Sequence, residues 1–115
     1  MNDVNQCLSW GDFTNVDMRV GTIVSAEHFL EAKNPSVKLT IDFGDLGIKK
    51  SSAQITKLYH PESLVGRQII AVVNFPPKQI ANMMSECLVL GAVAEQNSVT
   101  LLTTDFPVQN GLRVG

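Results

Sequence analysis

Val37 to Phe43 alternates without a break: Val37, Leu39, Ile41 and Phe43 are apolar, and Lys38, Thr40 and Asp42 are polar. A period of two gives a β-strand with one buried and one wet face. Gly44-Asp45-Leu46-Gly47 follows as a turn of hairpin length, and Ile48 to Ile55 returns as a second, much more polar strand. Met18 to Phe29 is rich in β-branched residues, with Gly21 marking a bulge or tight bend. Gln68 to Asn74 reads as a central apolar strand. Cys87 to Ala94 and Ser98 to Thr103 add two more, joined by Glu95-Gln96-Asn97.

The helical signals between these strands are short. Ser9 three residues before Asp12 is a weak capping box, so Trp10 to Asn15 is expected to form one turn, with Trp10 and Phe13 as plugs facing the core. Ile55 to Tyr59 is expected to form a turn ending before Pro61. Pro61 to Gly66 forms another, closed by its glycine, and Pro76 or Pro77 opens a further short helix. Leu30 to Ser36 is a loop, the tail Asp105 to Gly115 is extended or looped, and Met1 to Leu8 is polar, aperiodic and flexible. Five or six short strands with only short helical pieces specify an all-β fold. The count and length fit a five-stranded Greek-key OB-fold barrel with short helices and terminal extensions.

At 115 residues the chain is expected to fold as a single domain, 1–115, large enough to bury a core without staples. Its two cysteines, Cys7 and Cys87, stand in no metal-binding spacing and read as reduced thiols. No export signal and no apolar run of about 18 residues is present, so the expectation is a cytoplasmic protein without membrane insertion. The net charge of −2 is unevenly spread. From Lys33 to Lys78 seven basic residues face three acidic ones, a local +4, and the flanks carry −6. A basic middle is either a footprint for phosphates or a solvated face of mixed charge.

Catalytic chemistry finds little support. The two histidines, His28 and His60, form no HxH or HxxxH pair, and there is no GxSxG elbow and no glycine-rich phosphate loop. No enzyme, cofactor or metal is expected. Lys49, Lys50, Ser51, Ser52 and Gln54 are too polar for a buried strand. Alternation sends Lys50, Ser52 and Gln54 to one side and Lys49, Ser51 and Ala53 to the other. Cations beside hydroxyls suit phosphate and ribose, but lysines also protect an edge strand, and the residues alone leave both readings open. Phe29, Tyr59 and Phe75 are the only aromatic candidates for exposure. So few disfavour a single-strand binder that stacks bases and are easier to reconcile with recognition of folded RNA by shape. Phe75, Pro76, Ile80, Met83 and Met84 read either as an adaptable apolar surface suited to peptides or as a surface from which at least one methionine turns in to fill a core gap.

Phe13 to Gly21 (FTNVDMRVG), Lys38-Leu39 with Ile41 to Gly44, Lys49 to Thr56 (KKSSAQIT) and Asn74 to Leu90 (NFPPKQIANMMSECLVL) together resemble the CsaA-type export chaperones. These belong to the wider tRNA-binding domain family, which also includes the C-terminal appendage of methionyl-tRNA synthetases. The resemblance covers Trp10 to Val114. It implies an OB-fold homodimer, with the terminal segments in the interface, that binds tRNA and unfolded or preprotein peptides. It matches Asn74, Pro77, Lys78 and Ser85 to the family's tRNA-contact motif, and Lys38 to a basic position upstream. Gln79 stands where a second basic residue is usual, Cys87-Leu88 where many tRNA binders carry Gly-Met, and Ala81-Asn82 displaces the usual loop glycine. That pattern is similar to the chaperone branch. The expected RNA contacts are therefore Lys38, Lys49, Lys50, Ser51, Ser52, Asn74, Lys78 and Ser85. The expected peptide contacts are Phe75, Pro76, Ile80, Met83 and Met84, on a separate surface. The alternative function is a peptide-binding export chaperone with little tRNA affinity.

Overall fold

The structure is a computed structural model that describes residues 6–115. Most of the segment expected to be flexible at the N-terminus, residues 1–5, lies outside the described residues. Five antiparallel strands form a nearly closed, barrel-like sheet of the OB type. They are β1 (Met18–His28), β2 (Val37–Asp42), β3 (Ile48–Ala53), β4 (Gln68–Val72) and, further along the chain, β7 (Leu88–Val89). Their order is β3-β2-β1-β4-β7. Three strands linked in sequence with the fourth returning beside the first is a Greek key. Between β4 and β7 the chain makes a hairpin of β5 (Lys78–Ile80) and β6 (Met83–Ser85). After β7 come a second hairpin, β8 (Gly91–Val93) with β9 (Val99–Leu101), and a terminal strand β10 (Arg113–Val114) that pairs with β1.

The alternation of β2 is realised in full: Val37, Leu39 and Ile41 are buried and the residues between them are not. With Ile23, Phe43, Ile55, Leu64, Ile69, Ala71 and Cys87 they make the core. The glycine turn forms as a 3-10 turn, with Gly44 and Gly47 at positive φ, a region an L side chain seldom enters. β1 curls because its register to β2 shifts between Ile23 and Ser25, a bulge of the kind that lets a long strand serve two neighbours around a barrel. The bulge lies beyond Gly21. That glycine serves close packing instead: a Cβ built on it would lie 2.6 Å from Ile41 Cγ2 and 2.7 Å from the Phe43 ring.

Barrel closure is indirect. β3 reaches the chain ahead of β7 through a short seam of mixed backbone and side-chain bonds. Glu86 N donates to Lys50 O at 2.8 Å, and Lys50 N donates to Glu86 Oε1 at 3.0 Å. Ser51 Oγ donates to Cys87 O at 2.9 Å, and Ser52 N to Ser85 Oγ at 3.4 Å. Most backbone donors and acceptors left over on an edge strand need such partners.

Several expectations are corrected. Pro76 and Pro77 do not open a helix; they lead into β5, because an extended segment here can fold back on β6 through a turn with Ala81 at φ 49°. Ile55 to Tyr59 is a turn that buries Ile55 and is not helical. The expected strand from Cys87 to Ala94 is broken into β7 and β8, which join different sheets. The N-terminal turn forms as α1 (Trp10–Thr14), capped by Ser9 Oγ accepting from Asp12 N, yet Trp10 is 84% exposed and Phe13 only half-buried. No residue of α1 is buried, so these side chains are not plugs. A second short helix, α2 (Pro61–Leu64), buries Pro61 and Leu64 and ends ahead of Gly66 at φ 93°.

Gly21→Val is expected to overpack the contact with Ile41 and Phe43 and to destabilise the fold by about 1–3 kcal/mol. Urea unfolding checks this; a midpoint equal to that of the unchanged protein would contradict the packing role.

Candidate functional site

The outer surface of β2 and β3 follows from register. Lys38 stands opposite Ser52 and Thr40 opposite Lys50, and both rows face outward. Leu39 stands opposite Ser51, and that row faces the core. Ser51 is 1% exposed with its hydroxyl committed to Cys87, so as an RNA contact it is corrected: it is a seam residue. Lys49, opposite Ile41, is half-buried at the edge of the same inner row. Lys50 is exposed. Lys38 Nζ lies 3.8 Å from Glu27 Oε1 and 4.8 Å from the centre of the Phe29 ring. Phe29 is buried and the Tyr59 hydroxyl accepts from Leu101 N, which leaves Phe75 as the exposed member of the three aromatic candidates.

A groove of about 460 Å³ opens between the loop after β1 and the β5–β6 hairpin. Lys33 and Asn34 from the loop, Ser52 and Gln54 from β3 and its extension, and Lys78 and Ser85 from the hairpin line it. No carboxylate is among the described residues lining it. Ammonium, amide and hydroxyl donors without a competing anion suit phosphate oxygens. Lys33 and Asn34 escaped the sequence reading as contacts. Lys33 was visible only as part of the basic middle, because its meeting with Lys78 is a product of the barrel.

Beside this groove lies a smaller apolar one of about 270 Å³, lined by Phe75, Pro76, Lys78, Ser85, Cys87 and Leu88. Phe75 is 55% and Leu88 49% exposed. Leu88 was not expected here. Met83 was, and is corrected: β6 alternation turns it inward, 6% exposed, while Met84 points outward. Ile80 is half-buried and lines the polar groove instead. Asn74 is also reassigned. Its Oδ1 accepts from Asp17 N at 3.1 Å and its Nδ2 donates to Asn15 O at 2.7 Å, so the amide clamps the Phe75-Pro76 loop to the segment behind α1. A third groove, of about 380 Å³, runs along the other side of Leu88 and is lined mainly by the aliphatic side chains of Ala53, Ile55, Val89, Val93 and Val99, with polar Ser52 and Gln54 beside them.

Cys87 forms part of the floor of the first two grooves and is buried. Burial pushes its thiol up from 9.0 to about 11, and the Ser51 hydroxyl and the charge of Lys49 only partly offset this. Such a thiol is a structural group and a poor nucleophile. His28 and His60 are both exposed, and among the described residues no three His, Cys, Asp or Glu side chains gather as a metal site. Among the described residues no helix is long and apolar enough to cross a membrane.

Residues 18–113 match the family model described as "Putative tRNA binding domain". The chain is 51% identical to the chaperone CsaA of Bacillus anthracis, whose crystal structure superposes with a TM-score of 0.91 over 95% of this chain and 99% of that one. The CsaA chaperone protein of Picrophilus torridus is 49% identical, with a TM-score of 0.88 over 95% of this chain and 100% of that one. Methionine–tRNA ligase of Bdellovibrio bacteriovorus is 36% identical over 93% of this chain, which spans only 15% of the ligase's length.

At pH 8, iodoacetamide is expected to label exposed Cys7 in the folded protein and to reach Cys87 only after unfolding, as peptide mass spectrometry can read. Equal labelling of both would contradict the buried, proton-bound state of Cys87. The folded thiol also keeps its proton to higher pH than the unfolded one. Its contribution to stability is therefore complete below about 9 and is lost as pH rises toward about 11.

Proposed function

The chain belongs to the tRNA-binding domain family, and from that membership we propose that it is a non-catalytic cytoplasmic binding protein that holds tRNA by shape and backbone. The carrying observation is the carboxylate-free groove between the loop after β1 and the β5–β6 hairpin, with Lys33 and Lys78 on opposite walls. It lies over β3, on the face where OB barrels take oligonucleotides. Lys50, Ser52 and, more weakly because of Glu27, Lys38 extend the donor surface along β2 and β3.

A second activity, holding unfolded or export-bound polypeptides, is favoured by a separate observation. The groove of Phe75, Pro76 and Leu88 leaves apolar surface in water, which an extended apolar segment would cover. The likeness to CsaA chaperones supports this reading.

The protein works as a homodimer in this proposal. Arg113 Nη2 donates to Thr14 O at 2.7 Å and ties the tail to α1, so that both termini hold one arrangement. Trp10, Leu8, Phe106 and Leu112 are all exposed on these terminal segments. A copy of the chain would bury them symmetrically.

Fluorescence anisotropy with labelled bulk tRNA tests the first activity. Each phosphate contact contributes roughly 0.9 to the logarithmic salt slope, so about four contacts predict an affinity loss near a hundredfold for a fourfold rise in salt. Lys33→Glu with Lys78→Glu is expected to weaken binding at low salt by more than about tenfold. Failure to bind tRNA at low salt would sink the RNA reading and leave the peptide-holding one.

For the dimer, Trp10→Asp is the informative change, since an acidic side chain suits the first turn of a helix. Analytical ultracentrifugation is expected to show a dimer for the unchanged protein and a folded monomer for the variant. A monomer in both cases rules the terminal interface out.

A further inference from the structure

The polar and the apolar grooves are not separate surfaces. Lys78, Ser85, Cys87 and Leu88 line both. Leu88 also lines the aliphatic groove on its far side, so one half-exposed side chain is a common wall of all three. This wall has little freedom to move aside. Ser85 is held to β3 by the bond from Ser52 N. Leu88 is fixed in the ladder opposite Val72 of β4. Between them, Glu86 exchanges two bonds with Lys50, and Cys87 accepts from Ser51.

Two kinds of ligand therefore meet at the same few atoms. A phosphate drawn to Lys78 keeps part of its hydration on the exposed side. An apolar peptide lying on Phe75, Pro76 and Leu88 would strip that water from the ion pair, and desolvating paired charges is strongly unfavourable. Conversely, a peptide already seated there covers the approach to Lys78 and Ser85. Neither clash is relieved by a shift of the backbone from Ser85 to Leu88, because that stretch closes the barrel and pairs with β4.

Building on the functional reading above, we propose that RNA and apolar peptide exclude one another from this protein through their shared use of Lys78, Ser85 and Leu88. Occupancy by RNA then holds the protein out of polypeptide binding, and an unfolded segment releases the RNA. The exclusion is a direct competition at one composite site and needs no change of fold.

The test uses the full chain, fluorescein-labelled bulk tRNA and a short, net-neutral peptide rich in leucine and phenylalanine, so that peptide and RNA do not attract each other. Each ligand is first titrated alone at low salt. The peptide is then titrated with free tRNA held at about ten times its own dissociation constant. Competition predicts an apparent peptide dissociation constant raised about elevenfold and full loss of the tRNA anisotropy at saturating peptide. Leu88→Glu, at a half-exposed position and with its fold checked by circular dichroism, is expected to lower both affinities. An unshifted peptide affinity with retained tRNA anisotropy, each ligand having bound alone, overturns the exclusion and leaves the two activities standing on independent sites. Failure of either ligand to bind alone overturns that ligand's part of the functional reading, and the exclusion with it.

Discussion

The seam between β3 and Ser85–Cys87 is the constraint on which the rest of the molecule depends. An OB barrel must satisfy the outer edge of β3, and here a short β7 does not run alongside it for the necessary length. The reciprocal pair of bonds between Glu86 and Lys50 substitutes for a stretch of ladder, with one carboxylate oxygen standing in for a carbonyl. Ser51 supports it from inside the barrel. The same seam that completes the core therefore sets the position of Ser85, Cys87 and Leu88, which form the walls and floor of the grooves. Stability and the shape of the grooves rest on the same few bonds.

The charge distribution makes sense on this frame. A chain with a net charge of −2 can still offer a cationic site, because four of its nine basic residues, Lys33, Lys38, Lys50 and Lys78, lie in the loop after β1, on the outer faces of β2 and β3 and on the β5–β6 hairpin. Two acidic residues near this region have partners of their own, while Glu31 in the loop after β1 is exposed. Glu86 binds backbone, and Glu27 sits beside Lys38. What remains in the groove is a set of donors whose local field is opposite to that of the molecule as a whole.

The parts of the fold legible in the sequence were those with local causes. β2 announced itself by strict alternation, and the Gly44 to Gly47 turn by glycines that its backbone requires. The N-cap Ser9 worked through a bond to a residue three positions away. The β5–β6 hairpin was hidden for an equally local reason: its turn uses Ala81 at positive φ, where glycine or asparagine would have been the signal, and the two prolines ahead of it also suit a helix start. Ser51 could have been found. Alternation split the β3 residues into two rows, and pairing across the glycine turn would have set Ser51 against Leu39, hence inward. The convergence of Lys33 with Lys78 and the exposure of Trp10 were not legible, since both depend on where distant segments come to rest.

The β5–β6 hairpin has a design consequence of its own. Its base is fixed by Ser85, which belongs to the seam, and at its other end Met83, paired with Ile80, is buried. Its tip, Ala81-Asn82, is exposed and belongs to no core contact. A fixed base with a free end is a modular parapet. Inserting residues at the tip would raise one bank of the polar groove while leaving the barrel's interior untouched, so ligand size can be retuned independently of foldability. In that sense the height of one bank is set apart from the bonds that close the barrel, although the floor below it is not.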